Sequence, residues 1–162
     1  MIVTGLDLSI TATGVAVEDT TWTIRPTEKG DKRLSEIREG VRRALACNLV
    51  AIEDLPTHAK AAGITGMVHG VIRAYLCDWH IPYALITPAS LKKYATGKGN
   101  CDKTAMALAA FKRAGIEFGD DNECDAWWLR AMALDHLGSP LFDLPAAQRA
   151  AMDAVQWPEV QP

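Results

Sequence analysis

The sequence predicts a mixed α/β domain: a five-stranded sheet, part antiparallel meander and part parallel, flanked by helices on both faces. Two observations carry this. Three short strand-like segments follow one another with tight links within the first 24 residues, as in an antiparallel meander. After residue 31 the apolar period becomes helical, and apolar strand-like runs alternate with helical stretches. The order is β-β-β-α-β-α-β-α-α, and right-handed crossovers place the fourth strand parallel to the first.

Each element has its own signal. IVTGLDL at 2–8 is a strand that ends in a carboxylate, followed by the turn-like Ser9–Thr13. TGVAVE at 13–18 and Thr20–Ile24, centred on Trp22, complete the meander. Over 31–46, Leu34, Ile37, Val41 and Leu45 share one helical face. Arg33, Arg38, Arg42 and Arg43 lie elsewhere on that helix, as an ordinary solvated surface. LVAIEDLP at 49–56 starts with four apolar residues, as in a strand buried on both faces, and ends at Glu53 before Pro56. Residues 58–79 form a long helix with Gly63, Gly66 and Gly70 on a stripe that suits close packing, against the sheet or a subunit partner. YALIT at 83–87 is the fifth strand. Helices follow over 89–95, 101–114 and 121–137, and a short terminal one over 146–157. The pattern changes after Gly138, so we expect one domain over 1–140 and a C-terminal tail with a short helix over 141–162.

Composition bounds the class. At 162 residues, 49% hydrophobic and 23% charged, the chain suits one globular domain with a real core. Its apolar runs are too short to span a bilayer, and the first ten residues lack a signal-peptide pattern. Cys47, Cys77, Cys101 and Cys124 are widely and irregularly spaced, which argues against zinc and for a reduced compartment. Cys47 and Cys77 read as small hydrophobes within helices. The expected location is the cytoplasm. The formal net charge of −3 speaks mildly against nucleic-acid binding, but bound cations would offset an acidic metal site.

Three carboxylates carry the chemistry. Asp7 ends the first strand. Glu53 ends a buried strand and needs a partner there. Asp125 lies past the first turn of its helix beside Trp127, Trp128 and Leu129, on a side that is expected to be buried. Asn122 stands three residues earlier, on the same face. Asp120 and Glu123 have a structural explanation as a capping box. Two strand-end carboxylates beside one helical carboxylate suit hard divalent ions, and two such ions can activate water at a phosphodiester. His58, His69, His80 and His136 are scattered and read as packed or surface residues, His69 being the hardest to dismiss. In TPASLKKYATGKGNCDKT at 87–104, Lys92, Lys93, Lys98 and Lys103 cluster with Tyr94, Gly97 and Gly99. That segment is either a solvated turn or a phosphate-positioning loop.

With these pieces in order, the chain resembles the RuvC-type Holliday junction resolvases of the RNase H-like superfamily, especially the compact phage forms. GLDLSITATGVAV resembles the family's opening strand, and VAIEDLP its glutamate strand. TPASLKKYATGKGNCDKTAM resembles its lysine segment, and NECDAWWLRAMAL its final helix. The resemblance implies catalytic roles for Asp7, Glu53, Asp125, Asn122 and Lys103, with Asp7, Glu53, Asp125 and Asn122 as metal ligands. It places the family's lysine at Lys103, and with the phosphate-positioning reading of the segment we expect nucleic-acid contacts by Lys92, Lys93, Lys98 and Lys103. It also implies Mg²⁺ or Mn²⁺, two per site, a homodimer acting on four-way junctions, and products with 5′-phosphate and 3′-hydroxyl ends. One position departs from the family: Asn122 stands where such enzymes usually carry an acid or a histidine, which weakens a second ion site. Asp121 or Glu123 would be poorer substitutes.

Other functions compete. The same fold serves RNase H-like and flap nucleases acting on other nucleic acids, and also non-catalytic DNA-binding modules. A G-x-D-x-[ST] opening also occurs in actin-like ATP-binding domains, but those need two lobes, so neither a nucleotide cofactor nor a membrane partner is expected.

Overall fold

The computed structural model describes residues 1–55 and 62–160. Five strands form one sheet: β1 (Val3–Asp7), β2 (Thr13–Val17), β3 (Thr20–Ile24), β4 (Leu49–Glu53) and β5 (Tyr83–Ile86). Their order is β3-β2-β1-β4-β5. β1–β2 and β2–β3 pair antiparallel, while β1–β4 and β4–β5 pair parallel. This is the five-stranded mixed sheet that the alternation of meander and crossovers predicts.

Because strand side chains alternate, the sheet divides the core in two. Val3, Ala16, Leu49 and Ala51 face one side, with Trp127, Trp128 and Leu129. Leu6, Val15, Val50 and Ile52 face the other, with Ile37, Val41, Val68, Ile72 and Leu76. The second side is covered by α1 (Lys32–Arg42) and α2 (Ala62–Asp78). The first is covered by α5 (Asp121–His136), which is overlaid in turn by α3 (Pro88–Thr96), α4 (Lys103–Ala114) and the C-terminal segment. α5 is enclosed over most of its length, with eleven of its residues buried, Arg130 and Asp135 among them, as a helix between two layers requires. The Trp128 indole N–H, wholly buried, donates to the Met106 carbonyl at 3.2 Å.

Several sequence expectations are adjusted. The first helix ends at Arg42, not 46; the chain then turns so that the Ala44 carbonyl accepts from the buried Thr4 hydroxyl at 2.6 Å. Cys47 therefore lies in a connection rather than a helix, and Cys77 is exposed. The strand stop at Pro56, His58 and the first turn of the expected 58–79 helix lie outside the described residues. The expected 146–157 helix is one α turn, α6 (Ala146–Arg149), followed by a 3₁₀ turn over Ala150–Ala154. Short helices are marginal on their own, so tertiary packing sets the path here. Trp157 folds back and stacks on His136, with ring centroids 4.2 Å apart.

The C-terminal segment is packed into the molecule: Phe142, Leu144, Ala151, Met152, Val155, Trp157 and Val160 lie against the α5-side core. A buried polar network fastens it. Asp135 of α5 accepts from the Tyr94 hydroxyl at 3.1 Å and pairs with Arg149. The Gln148 side-chain N–H donates to the Tyr94 carbonyl at 2.8 Å. Among the described residues, no helix is long and apolar enough to cross a membrane.

A carboxylate cluster as the candidate active site

The strand register brings Asp7 and Glu53 abreast. β1 and β4 run parallel with Leu6 opposite Ile52, so the next residue of each strand is an acid. Val3 and Gly5 on β1, and Leu49 and Ala51 on β4, share the parity of these two acids, and that parity faces α5. Both carboxylates are therefore directed to the side of the sheet on which α5 lies.

Two glycines let α5 approach at backbone distance. A Cβ at Gly5 would overlap the Ala126 carbonyl and lie 2.8 Å from the Arg130 nitrogen. A Cβ at Gly14 would overlap the Asn122 carbonyl. Gly14 is the β2 residue paired with Asp7. So the first turns of α5, which carry Asn122 and Asp125, sit directly above the end of β1. Strand β3 fixes that end of the helix from outside. The Thr21 hydroxyl donates to Glu123 at 2.7 Å, Thr23 donates to Asp120 at 2.8 Å, and Arg25 pairs with Asp120. Asp120 also caps α5, accepting from the Glu123 backbone N–H at 3.0 Å. The capping role expected of Asp120 holds, while the Glu123 carboxylate is engaged by Thr21.

The electrostatics follow from this placement. Burial, then the charge of Asp125, pushes Asp7 up to about 7, against the lowering effect of a hydrogen bond with Glu53 and the charge of Lys103. Burial, then the charges of Asp7 and Asp125, pushes Glu53 up to about 8, with Lys92 opposing. Asp125 is raised by burial, against Lys103 and Lys92. Asp7 and Glu53 are thus a hydrogen-bonding pair of half-buried acids, and the charge of Asp125 reaches both. Asp120, by contrast, is held down at about 2: burial would raise it, but the Glu123 N–H, Thr23, Arg25 and Asn122 outweigh that. Asn122 accordingly leans on Asp120, and Asp121 pairs with Lys103.

The donor set suits a hard divalent cation in its chemistry: oxygen ligands, partly desolvated, carrying mutually repelling charge. Among the described residues, no three His, Cys, Asp or Glu side chains stand close enough to hold one ion. The arrangement is therefore a contacting pair with a third carboxylate in electrostatic range, rather than a closed ligand shell.

The lysine segment divides. Lys103 opens α4 and Lys92 is half-buried on α3; these two act on the carboxylates. Lys93 and Lys98 are exposed further along the same segment. Tyr94 is buried and belongs to the Asp135 network, not to a binding surface. His69 is buried on α2, and burial lowers its pKa.

Sequence reasoning passed over Gly5, Gly14 and the β3 clamp. An isolated glycine inside a strand signals close backbone approach, so Gly5 and Gly14 were findable. Thr21, Thr23 and Arg25 carry no local signal, because their partners lie about a hundred residues away.

No protein-family model matches the chain. Among solved structures, it is similar to Thermus thermophilus RuvC, with a TM-score of 0.66 and 21% identity over 86% of this chain and 98% of that one. It is also similar to T. thermophilus RuvC in complex with Holliday junction substrate, with a TM-score of 0.67 and 20% identity over 86% and 97% of the two chains. Strand order and these likenesses agree: the chain has the fold of Thermus thermophilus RuvC, with a five-stranded mixed sheet.

Proposed function

We propose that this protein is a metal-dependent endonuclease that cuts branched DNA, four-way junctions foremost. The observation that carries the reading is the pair of half-buried acids Asp7 and Glu53 side by side at one end of the sheet, with the charge of Asp125 reaching both. The fold supports the choice of substrate, since a structure of similar fold was solved with Holliday junction substrate.

Asp7, Glu53 and Asp125 would hold Mg²⁺ or Mn²⁺, with Asn122 lending a neutral carbonyl. Bound there, two ions would supply an activated water and stabilise the leaving oxygen of a phosphodiester. The rest belongs to the chain. A cation bound there would favour the charged forms of Asp7 and Glu53, whose pKa values burial and mutual charge raise in its absence. α5, seated on Gly5 and Gly14, holds Asp125 at a fixed height above the strand ends. Lys103 and Lys92 bring positive charge to the rim of an acidic centre, where an incoming phosphate would otherwise be repelled. Lys93 and Lys98 extend that positive rim along the backbone of the DNA.

A homodimer, with one site for each of two strands, fits the outer face of α2. Ile64 and Met67 are exposed there, and a side chain at Gly63 or Gly70 would meet nothing within 4 Å. Gly66 turns instead toward Leu55 at 3.9 Å, so Gly63 and Gly70 are the glycines of that outer face.

The test is cleavage of labelled four-way junctions in Mg²⁺, beside flaps, linear duplex and RNA–DNA hybrid. We expect junction cutting by the wild type and at least about a thousandfold loss in Asp7→Asn, the order set by removing a main electrostatic contributor to catalysis. Equal cutting by both proteins would reject the assignment of the metal site. Preference for the hybrid would move the substrate to RNA.

A further inference from the structure

Two cavities lie side by side along α4, the first next to Asp125. The first, of about 320 Å³, is lined by Lys103, Asp120, Asp121 and Asp125 with Thr104, Ala107 and Phe118. The second, of about 400 Å³, is lined by Leu108, Phe111, Ile116 and Glu117, again with Thr104, Ala107 and Phe118. Thr104, Ala107 and Phe118 border both, so the two lie end to end as a trough along α4, ionic at the carboxylate end and apolar beyond. Its wall is a single face of α4: Thr104, Ala107, Leu108 and Phe111 fall at helical spacing. The opposite face already supplies the core contacts, through Met106, Ala109 and Ala110. Leu108 and Phe111 are nonetheless 48% and 51% exposed. Phe118, by contrast, is anchored on Trp127, with centroids 5.7 Å apart.

This pattern matches a nucleotide more closely than a peptide. A base is a flat, largely apolar body tied to an anionic phosphate. The trough has aromatic edges at its apolar end, and Lys103 stands where it opens onto the carboxylates. Glu117 on the wall can accept from a base amino group. Aromatic side chains beside a cationic path are the usual platform for unstacked bases. We propose that the trough takes an unpaired nucleobase next to the phosphate held at the carboxylate cluster, with Phe111 and Phe118 as its stacking walls. The proposal rests on the nuclease reading for the position of that phosphate.

A cycle between protein and DNA tests it. Asp7→Asn protein, chosen to bind without cutting, is titrated with four-way junctions in which each nucleotide around the branch point is replaced in turn by an abasic residue. At one position we expect the abasic change to weaken binding at least about fivefold, the low end for loss of a stacked base. Adding Phe111→Ala, at a half-exposed residue whose loss the fold should tolerate, should abolish that penalty. Ala107→Trp, which puts bulk at the border of both cavities without removing packing, should do the same. Additive effects at every position overturn the base site, as does an equal loss on all junctions, which would point to a protein segment as the occupant. Coupled binding without any cutting by the wild type would remove the nuclease reading and leave the trough. Cutting without coupling would do the reverse, and failure to bind any nucleic acid removes both.

Discussion

Asp7 and Glu53 set the protein's response to pH. Their pKa values are raised in the fold by burial and by the neighbouring charge of Asp125. The folded state therefore keeps protons between about pH 4 and 8 that the unfolded chain has released. The stabilising contribution of the protonated pair is full below the unfolded values and lost as pH rises through the folded ones. For metal-free protein, we expect the melting temperature to fall from pH 5 to pH 8.5, more steeply than in Asp7→Asn. At pH 8 that variant should be more stable than wild type, by on the order of 1–3 kcal/mol. Mg²⁺ should raise the wild-type melting temperature at pH 8 and leave Asp7→Asn nearly unmoved. Calorimetry across pH with and without the ion checks both; a flat difference between the two proteins would mean that the pair carries no such strain. These acids were legible in the sequence because a charged residue closing an apolar strand demands a partner. The role of Asn122 was less so, since its lean toward Asp120 depends on β3.

At the scale of elements, the decisive contact is α5 on the sheet. Gly5 and Gly14 permit it, and backbone atoms on both sides leave little room to adjust. Gly5→Ala should cost about 1–3 kcal/mol or more, the usual range for overpacking a core. Gly14→Ala should lift the end of α5 that bears Asn122, lowering cleavage by more than its stability loss explains. Urea unfolding and junction cleavage, both measured well below the melting temperature, separate the two effects; wild-type behaviour in both variants would place α5 differently. The strands and most helix boundaries were readable because period and capping are local. β4 reads as an apolar run because both of its faces are covered. The close seating of α5 was not read, because it depends on which residues of distant segments face each other.

At the scale of the whole molecule, two surfaces remain to be tested. On the outer face of α2, Gly70→Arg would put a charge amid exposed apolar residues, and light scattering should report a dimer for the wild type and a monomer for the variant; the same state in both would exclude this face. The C-terminal segment offers the more searching experiment. Asp135 is 3% exposed and answers to Arg149 across the molecule, while Gln148 of the same turn holds the Tyr94 carbonyl. Tyr94 sits on α3, two residues from Lys92, so by holding that helix the segment helps to fix a lysine whose charge acts on Glu53. Arg149→Met leaves a buried carboxylate without its cation, which should cost about 3–5 kcal/mol, as for a broken buried pair, reduced because Arg149 is half exposed. Asp135→Asn in the same chain removes the stranded charge and should restore much of that loss, whereas two independent surface effects would simply add. Cleavage should follow the same order, falling in the single variant and recovering in the double, if the network holds α3 in place. Were the double variant no better than Arg149→Met, the segment would act through its apolar contacts alone. Met152 and Trp157 would then be the residues that bind it to the domain.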